Sequence, residues 1–267
     1  MQKHDLTLRC AIVFAIALLF SDCNKPDQDY PQYCQIVQLT NKGNSHSSDY
    51  TARFEYDAKG IPLRITRSNA AHSTPNYLFR HDKHNRVSDI IGSYGNGAYG
   101  YYFETWHRLK YDAKNRIILD SLFFSGIIDN NPKEMPGVLF QQSVITTKYD
   151  DKNRMLKYHE LLNGGGFLDR YFHYNNKGNL DSIVTRWDDG HEYIIRYSKY
   201  DDMVNIHRTN PLWQYLDWDY STNNRLPTLT SNKYGLPTTI AINSIKDDTP
   251  YFLTYGIGNM DIQYSCK

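Results

Sequence analysis

The stretch "RWDDGHEYI" (186–194) gathers the residue types that most readily do chemistry: Trp187, Asp188, Asp189, His191 and Glu192 share one short loop. Paired carboxylates beside an aromatic ring could serve a glycan hydrolase, one as general acid and the other as base or nucleophile. Calcium is a weaker fit, because it takes roughly six or more oxygens and no D-x-D-x-D-G loop is present. Adjacent acids before a glycine also make an ordinary D-G hairpin turn.

Other constellations dissolve once their context is considered. "GNGAYG" (95–100) has glycines at 95, 97 and 100, with Asp120 about twenty residues on, as a dinucleotide fingerprint would. That site needs a helix to open beside the pyrophosphate. The next residues are "YYFETWHRLKYD", an alternating strand, so the glycines are expected in a hairpin loop. His81 and His84 ("HDKH") lack further ligands at metal spacing, and no metal or other cofactor is expected. Tyr99, Tyr101, Tyr102 and Trp106 form one aromatic group, and Trp213, Tyr215 and Trp218 another. Aromatic platforms stack on sugars, although such residues are also ordinary members of a tyrosine-rich sheet. No G-x-S-x-G, Cys–His pairing or P-loop accompanies them, so the expectation is a protein without enzymatic activity.

The ends of the chain suggest an address. Lys3 and Arg9 precede the apolar run "CAIVFAIALLF" (10–20), too short to span a bilayer and suited to a signal-peptide core. "LLFSDC" then resembles a lipobox, which marks Cys23 for lipidation, although Asp22 stands where a small residue is usual. The reading is a signal peptide over 1–22, a lipid anchor and tether over 23–33, and one β domain over 34–267. It places the chain in the cell envelope, held to a membrane by its lipid. The remaining cysteines, Cys34 and Cys266, suit a disulfide in an oxidising compartment. With 30 Lys+Arg against 29 Asp+Glu, the chain lacks the basic excess of a nucleic-acid binder. A glycan or another envelope protein is the expected partner.

The elements that would position these residues announce themselves as a repeat. "FEYDAKGIPLRI", "FRHDKHNRVSDI", "LKYDAKNRIILD", "TKYDDKNRMLKY" and "FHYNNKGNLDSI" align on Asp57, Asp82, Asp112, Asp150 and Asn175. "WDYSTNNRLPTL" and "LTSNKYGLPTTI" continue the series with Ser221 and Asn232, and "SKYDDMVNIH" around Asp201 is degenerate. Three places on, every better copy carries Gly or Asn, the residues that best accept positive φ. A type I turn closed by a left-handed residue needs that position, and the aligned Asp or Asn can bond the turn's N–H groups. The lysines at 59, 114, 152 and 177 are expected to be solvated corners. Five and eight places on, the copies are mostly apolar, which in an unbulged strand would put apolar groups on both faces. The spacing predicts an all-β antiparallel meander of repeated hairpins forming a strongly curved sheet or barrel, or an open sheet with loops over its second face. The Tyr-Asp turns share one end and the variable loops the other, where binding surfaces are usually built. The expected role is therefore binding or scaffolding at the envelope through those loops, with a glycan hydrolase using the 187–192 loop or a purely structural envelope component as the alternatives.

The Tyr-Asp-x-x-Gly/Asn-Arg copies, the lipobox and the closing "IQYSCK" (262–267) resemble secreted lipoproteins of Bacteroidota type. That family of unknown function has a porin-like β fold and is distantly similar to YD/RHS repeats. The resemblance implies an envelope β-meander over roughly residues 34–267 and implies no activity.

Overall fold

The computed structural model describes residues 34–41, 50–71, 74–94, 101–137, 140–242, 252–253 and 258–267. They build one antiparallel sheet. Its strands are β1 (Cys34–Asn41), β2 (Tyr50–Tyr56), β3 (Pro62–Arg67), β4 (Asn76–His81), β5 (Val87–Ser93), β6 (Tyr102–Tyr111), β7 (Ile117–Ile127) and β8 (Lys133–Glu134). Then come β9 (Gln141–Tyr149), β10 (Met155–Leu161), β11 (Phe167–Tyr174), β12 (Leu180–Trp187), β13 (Glu192–Arg196), β14 (Thr228–Ser231), β15 (Pro237–Ile242) and β16 (Gly258–Cys266). Neighbours in sequence are neighbours in the sheet with three exceptions: β8 folds back on β7 so that β7 pairs with β9, β13 and β14 are not paired with each other, and β16 returns to pair with β1. Cys34 stands opposite Cys266 in that pairing, and the two form a disulfide. The sheet is curled but not closed, with β13 and β14 as its edges.

The repeated turns arise from their residue types. Oδ1 of Asp57, Asp82, Asp112, Asp150, Asn175 and Asn232 accepts the N–H groups two and four places on, at 2.8–3.1 Å. Asn85, Asn115 and Asn153, with Gly60, Gly178 and Gly235, take the left-handed corner at φ 59–86°. The corner lysines are exposed. Beside its turn each hairpin then carries an unpaired residue, Leu63, Ser88, Ile118, Leu156, Asp181 or Thr238, and the last hairpin has a second at Leu229. Such a bulge turns the strand by one position. It corrects the count for an unbulged strand, because residues five and eight places on, such as Ile117 and Asp120, are buried together.

A second contact explains why tyrosine precedes the aspartate. The hydroxyls of Tyr111, Tyr149, Tyr174, Tyr200 and Tyr264 donate to the carbonyls of Val87, Ile117, Met155, Leu180 and Pro237, at 2.5–2.9 Å. Each acceptor is the residue five places after the turn Asp or Asn of the preceding hairpin. His81 does the same work, its Nε2 lying 2.8 Å from the Pro62 carbonyl. Arg86, Arg116 and Arg154 bind the aspartate of their own turn at 2.7 Å and lie over Tyr111, Tyr149 and Tyr174 of the next hairpin, 4.2–5.1 Å from the ring centroids. The motif therefore closes a turn and also clamps successive hairpins together.

Two of the weaker sequence copies are something else. Asp201 accepts Met203 N–H, as a turn aspartate should, but the residue meant for the fourth place is replaced by Asn224, whose N–H reaches Asp201 Oδ1 at 3.1 Å. Asp201 N–H in turn donates to the Asn224 carbonyl at 3.0 Å. The segment between them is a long insertion into one hairpin, folded into the lumen as a plug. It contains a 3₁₀ turn (Ile206–Thr209) and a short helix, α1 (Pro211–Leu216). Ser221 and Asn224 are buried in it, so "WDYSTNNRLPTL" is no hairpin corner. Trp213 is fully buried, its ring 5.5–6.0 Å from those of Phe54, Phe79 and Phe252. Tyr215 is buried and Trp218 packs against the same core, which removes this second aromatic group from the surface. On the outer face, Ile128 and Phe140 pack over a smaller cluster of Ile91, Phe103 and Trp106.

Candidate functional site

The residues singled out in the sequence are scattered. Trp187, Asp188, Asp189, His191 and Glu192 are exposed at the tip of the β12–β13 hairpin, at the sheet's edge. Glu192 is held by Arg186 at 2.5 Å and Asp189 by His191 at 2.9 Å. The backbone N–H and the imidazole of His191 push the Asp189 carboxyl below its usual range, the opposite of what a general acid needs. Tyr101 and Tyr102 are exposed and meet edge to face, with centroids 4.9 Å apart. Trp106 is fully buried, its Nε1 donating to Asp89 at 2.7 Å with Arg80 and Arg108 against its ring, so it is no part of a surface platform. Tyr99, Gly95, Gly97, Gly100 and Cys23 lie outside the described residues. Among the described residues no three His, Cys, Asp or Glu side chains are placed to share a metal, and no helix is long and apolar enough to cross a membrane.

The polar cluster that the fold does assemble lies inside the lumen. Beyond the C-terminal end of α1, away from the Tyr-Asp turns, a cavity of about 260 Å³ is lined by Tyr77, His107, Asp120, Leu122, Ile145, Tyr158, Tyr215, Leu216, Trp218 and Phe252. β6 and β7 bring His107 and Asp120 together: Nδ1 donates to Oδ2 at 2.7 Å. The Tyr215 hydroxyl of the plug donates to the same oxygen at 2.9 Å. Oδ1 of Asp120 is buried with no hydrogen-bond partner among the described residues. A buried carboxylate oxygen left in that state is costly unless a donor arrives.

The electrostatics keep the cluster rich in donors. Burial opposes the charge on His107, but the Asp120 carboxylate outweighs it and holds the imidazole above the usual histidine range. Burial pushes the Tyr77 phenol up to about 12 and those of Tyr158 and Tyr215 well above 10, so all three keep their protons. Tyr158 donates to Glu160 at 3.1 Å, and Arg170 lies over the Tyr158 and Trp218 rings at 5.1 and 4.3 Å. Tyr77 and Phe252 pack at 4.7 Å on the opposite wall. The arrangement offers flat aromatic walls and a carboxylate acceptor.

One signal in the sequence pointed here. Eight places after the aligned residue the other hairpins carry Ile65, Ile90, Tyr158, Ile183 and Ile240, all buried, whereas the third carries Asp120. A charge at a position reserved for the core is the rule-breaking residue of this repeat.

The fold and cavity together define an open, curled meander of interlocked Tyr-Asp hairpins around an internal plug. No family model matches the chain and no curated protein matches it. Among solved structures, it is similar to the TcdB2-TccC3-Cdc42 crystal structure over 77% of this chain and 10% of that one, at 14% identity and a TM-score of 0.30. TcdB2-TccC3 without its hypervariable C-terminal region is similar over 83% of this chain and 12% of that one, at 12% identity and a TM-score of 0.29. The Photorhabdus luminescens Tc holotoxin pore is similar over 79% of this chain and 12% of that one, at 12% identity and a TM-score of 0.27. The chain thus spans about a tenth of the length of these structures' chains.

Proposed function

We propose that this protein is a non-enzymatic binding module of the cell envelope, anchored through a lipid on Cys23, which takes the ring of a glycan end into its lumen cavity. The observation that carries the reading is the buried, unpartnered Oδ1 of Asp120 between aromatic walls. A sugar presents C–H faces to aromatic rings and hydroxyl donors to a carboxylate. The cavity sits just below the ~300–1,000 Å³ usual for ligand sites, which favours a single ring over a chain. The leader and the Cys-preceding motif support the anchor.

Saturation-transfer NMR with a panel of free monosaccharides tests the binding. At least one should bind the wild-type protein and lose its signal in Asp120→Leu, which installs an apolar residue of the kind that the sister hairpins carry. The reading is wrong if no sugar binds, or if Asp120→Leu binds as well as wild type. The anchor is tested separately by mass spectrometry of the mature N-terminus, and an unlipidated start away from Cys23 overturns it.

A further inference from the structure

The corner lysines of the Tyr-Asp turns border a second recess, on the opposite side of the plug. A cavity of about 770 Å³ runs between the turns at Asp150 and Asn175, floored by the start of the plug. Its charged lining is Asp151, Lys152, Arg154, Lys177 and Arg208. The arginines along this rim divide into two kinds. Arg86, Arg116 and Arg154 are each neutralised by the aspartate of their own turn, at 2.7 Å. Arg208, half-buried in the floor, has no carboxylate and no side-chain hydrogen-bond acceptor among the described residues. Neither Lys152 nor Lys177 on the walls has an ionic partner among them.

With Arg154 neutralised, Lys152, Lys177 and Arg208 stand against Asp151, leaving two positive charges uncompensated in one concavity. A guanidinium that is partly removed from water without a counterion is stabilised by an arriving anion, and its fork suits a phosphate or carboxylate. Two charges match a dianion. A phosphomonoester carries about −1.5 to −2 near neutral pH, whereas a carboxylate carries one. The recess is wider than a phosphate needs, and the Pro211 and Tyr220 side chains leave apolar surface beside the cations.

We infer that this rim recess is a binding site for a phosphomonoester on a small organic body, with Arg208 as the bidentate anchor and Lys152 and Lys177 as flanking charges. The site shares no lining residue with the lumen cavity, so it stands or falls apart from the function proposed above.

Calorimetric titration of the purified protein with glucose 1-phosphate, glycerol 2-phosphate and inorganic phosphate, with glucose as control, tests it. Saturable binding of the organic phosphates, weakened about tenfold or more in Arg208→Gln and further in Lys152→Gln/Lys177→Gln, is the expected result. Equal binding of inorganic phosphate would mean that the anion alone is recognised, which overturns the role of the organic body. Overturning the site itself requires either no saturable binding of any phosphate, or binding that the three substitutions leave unchanged. Arg208 holds no other described side chain, so an unaltered melting curve for Arg208→Gln confirms that its loss of binding is local. Binding of glucose alone reports on the lumen and not on this recess.

Discussion

Asp112 and Asn175 occupy equivalent corners, which makes a sharp test of what the aspartate contributes. Asp112 Oδ1 accepts two N–H groups at 2.9 Å, and Oδ2 meets Arg116 Nε and Nη2 at 2.8 and 2.7 Å. Asn175 keeps the two N–H contacts, at 3.0 and 3.1 Å, and has Asn179 where the arginine would be. Nature has thus already removed the ion pair from one hairpin and kept the turn. A hydrogen bond to a charged group contributes ~1.5–3 kcal/mol when fully buried, and a cap of this kind about 1. With the carboxylate about one-fifth exposed, the lower values apply. Asp112→Ala should therefore cost about 2–3 kcal/mol. Asp112→Asn retains the acceptor and loses the ion pair, which is worth ~1 kcal/mol at such a site. Urea unfolding with the disulfide intact measures both, and in a chain of this size the alanine variant should melt roughly 4–10 °C lower. Acid adds a second reading. Burial works against the charge of Asp112, but the N–H and guanidinium of Arg116 outweigh it and hold the folded carboxyl below 3.8. Its contribution is therefore present above that pH and is lost as pH falls through the lower folded value, a loss that Asp112→Asn should blunt. Equal costs for Asn and Ala would refute the reasoning, because the ion pair and not the turn contact would then be the contribution.

Four further outcomes are expected. Tyr174→Phe, which strips the hydroxyl from the Met155 carbonyl, should destabilise by about 1–2 kcal/mol in the same unfolding assay. Reducing the Cys34–Cys266 bond, or replacing both cysteines by alanine, should lower stability by up to ~5 kcal/mol on the chain-entropy account of so long a loop, read from the denaturation midpoint. The half-buried His107 and the buried His207 should titrate above 6.5 by NMR, because Asp120 and Asp217 outweigh the desolvation that opposes their charge. Their contribution is complete below 6.5 and lost as pH rises through the raised values, so the protein should unfold more easily above those values than below 6.5. Asn115→Val should cost more than about 1 kcal/mol, because φ there is +59° and a β-branched residue resists that region, whereas Asn115→Gly should be close to neutral.

The hairpin corners were legible because they rest on local rules. A left-handed residue three places after a capping Asp or Asn leaves a mark in the sequence wherever it occurs, and six such corners stand where the spacing put them. The contacts between hairpins leave marks of another kind. Tyr and Arg recur around each corner, but the carbonyl that Tyr174 or His81 reaches lies 19 residues earlier, and no local rule names it. The plug shows the limit of the repeat as a guide. Residues 202–223 interrupt one hairpin, yet Asp201 and Asn224 still make the contacts of an unbroken turn. Read along the chain, each half looks like a decayed copy; read in space, they are one copy pried apart. That insertion also governs the site. It supplies Tyr215 and Trp218 to the lumen cavity and Arg208 to the rim recess. A curled sheet left with its apolar inner face empty would be unstable, and the segment that fills it divides the lumen into an aromatic chamber on one side and a cationic recess on the other. The residues that looked reactive at 187–192 sit on an exposed tip because a D-G turn needs acids for its own backbone. Asp120 serves no turn and lies in the core, which is why its unpartnered oxygen, and not the acid-rich loop, marks where a ligand belongs.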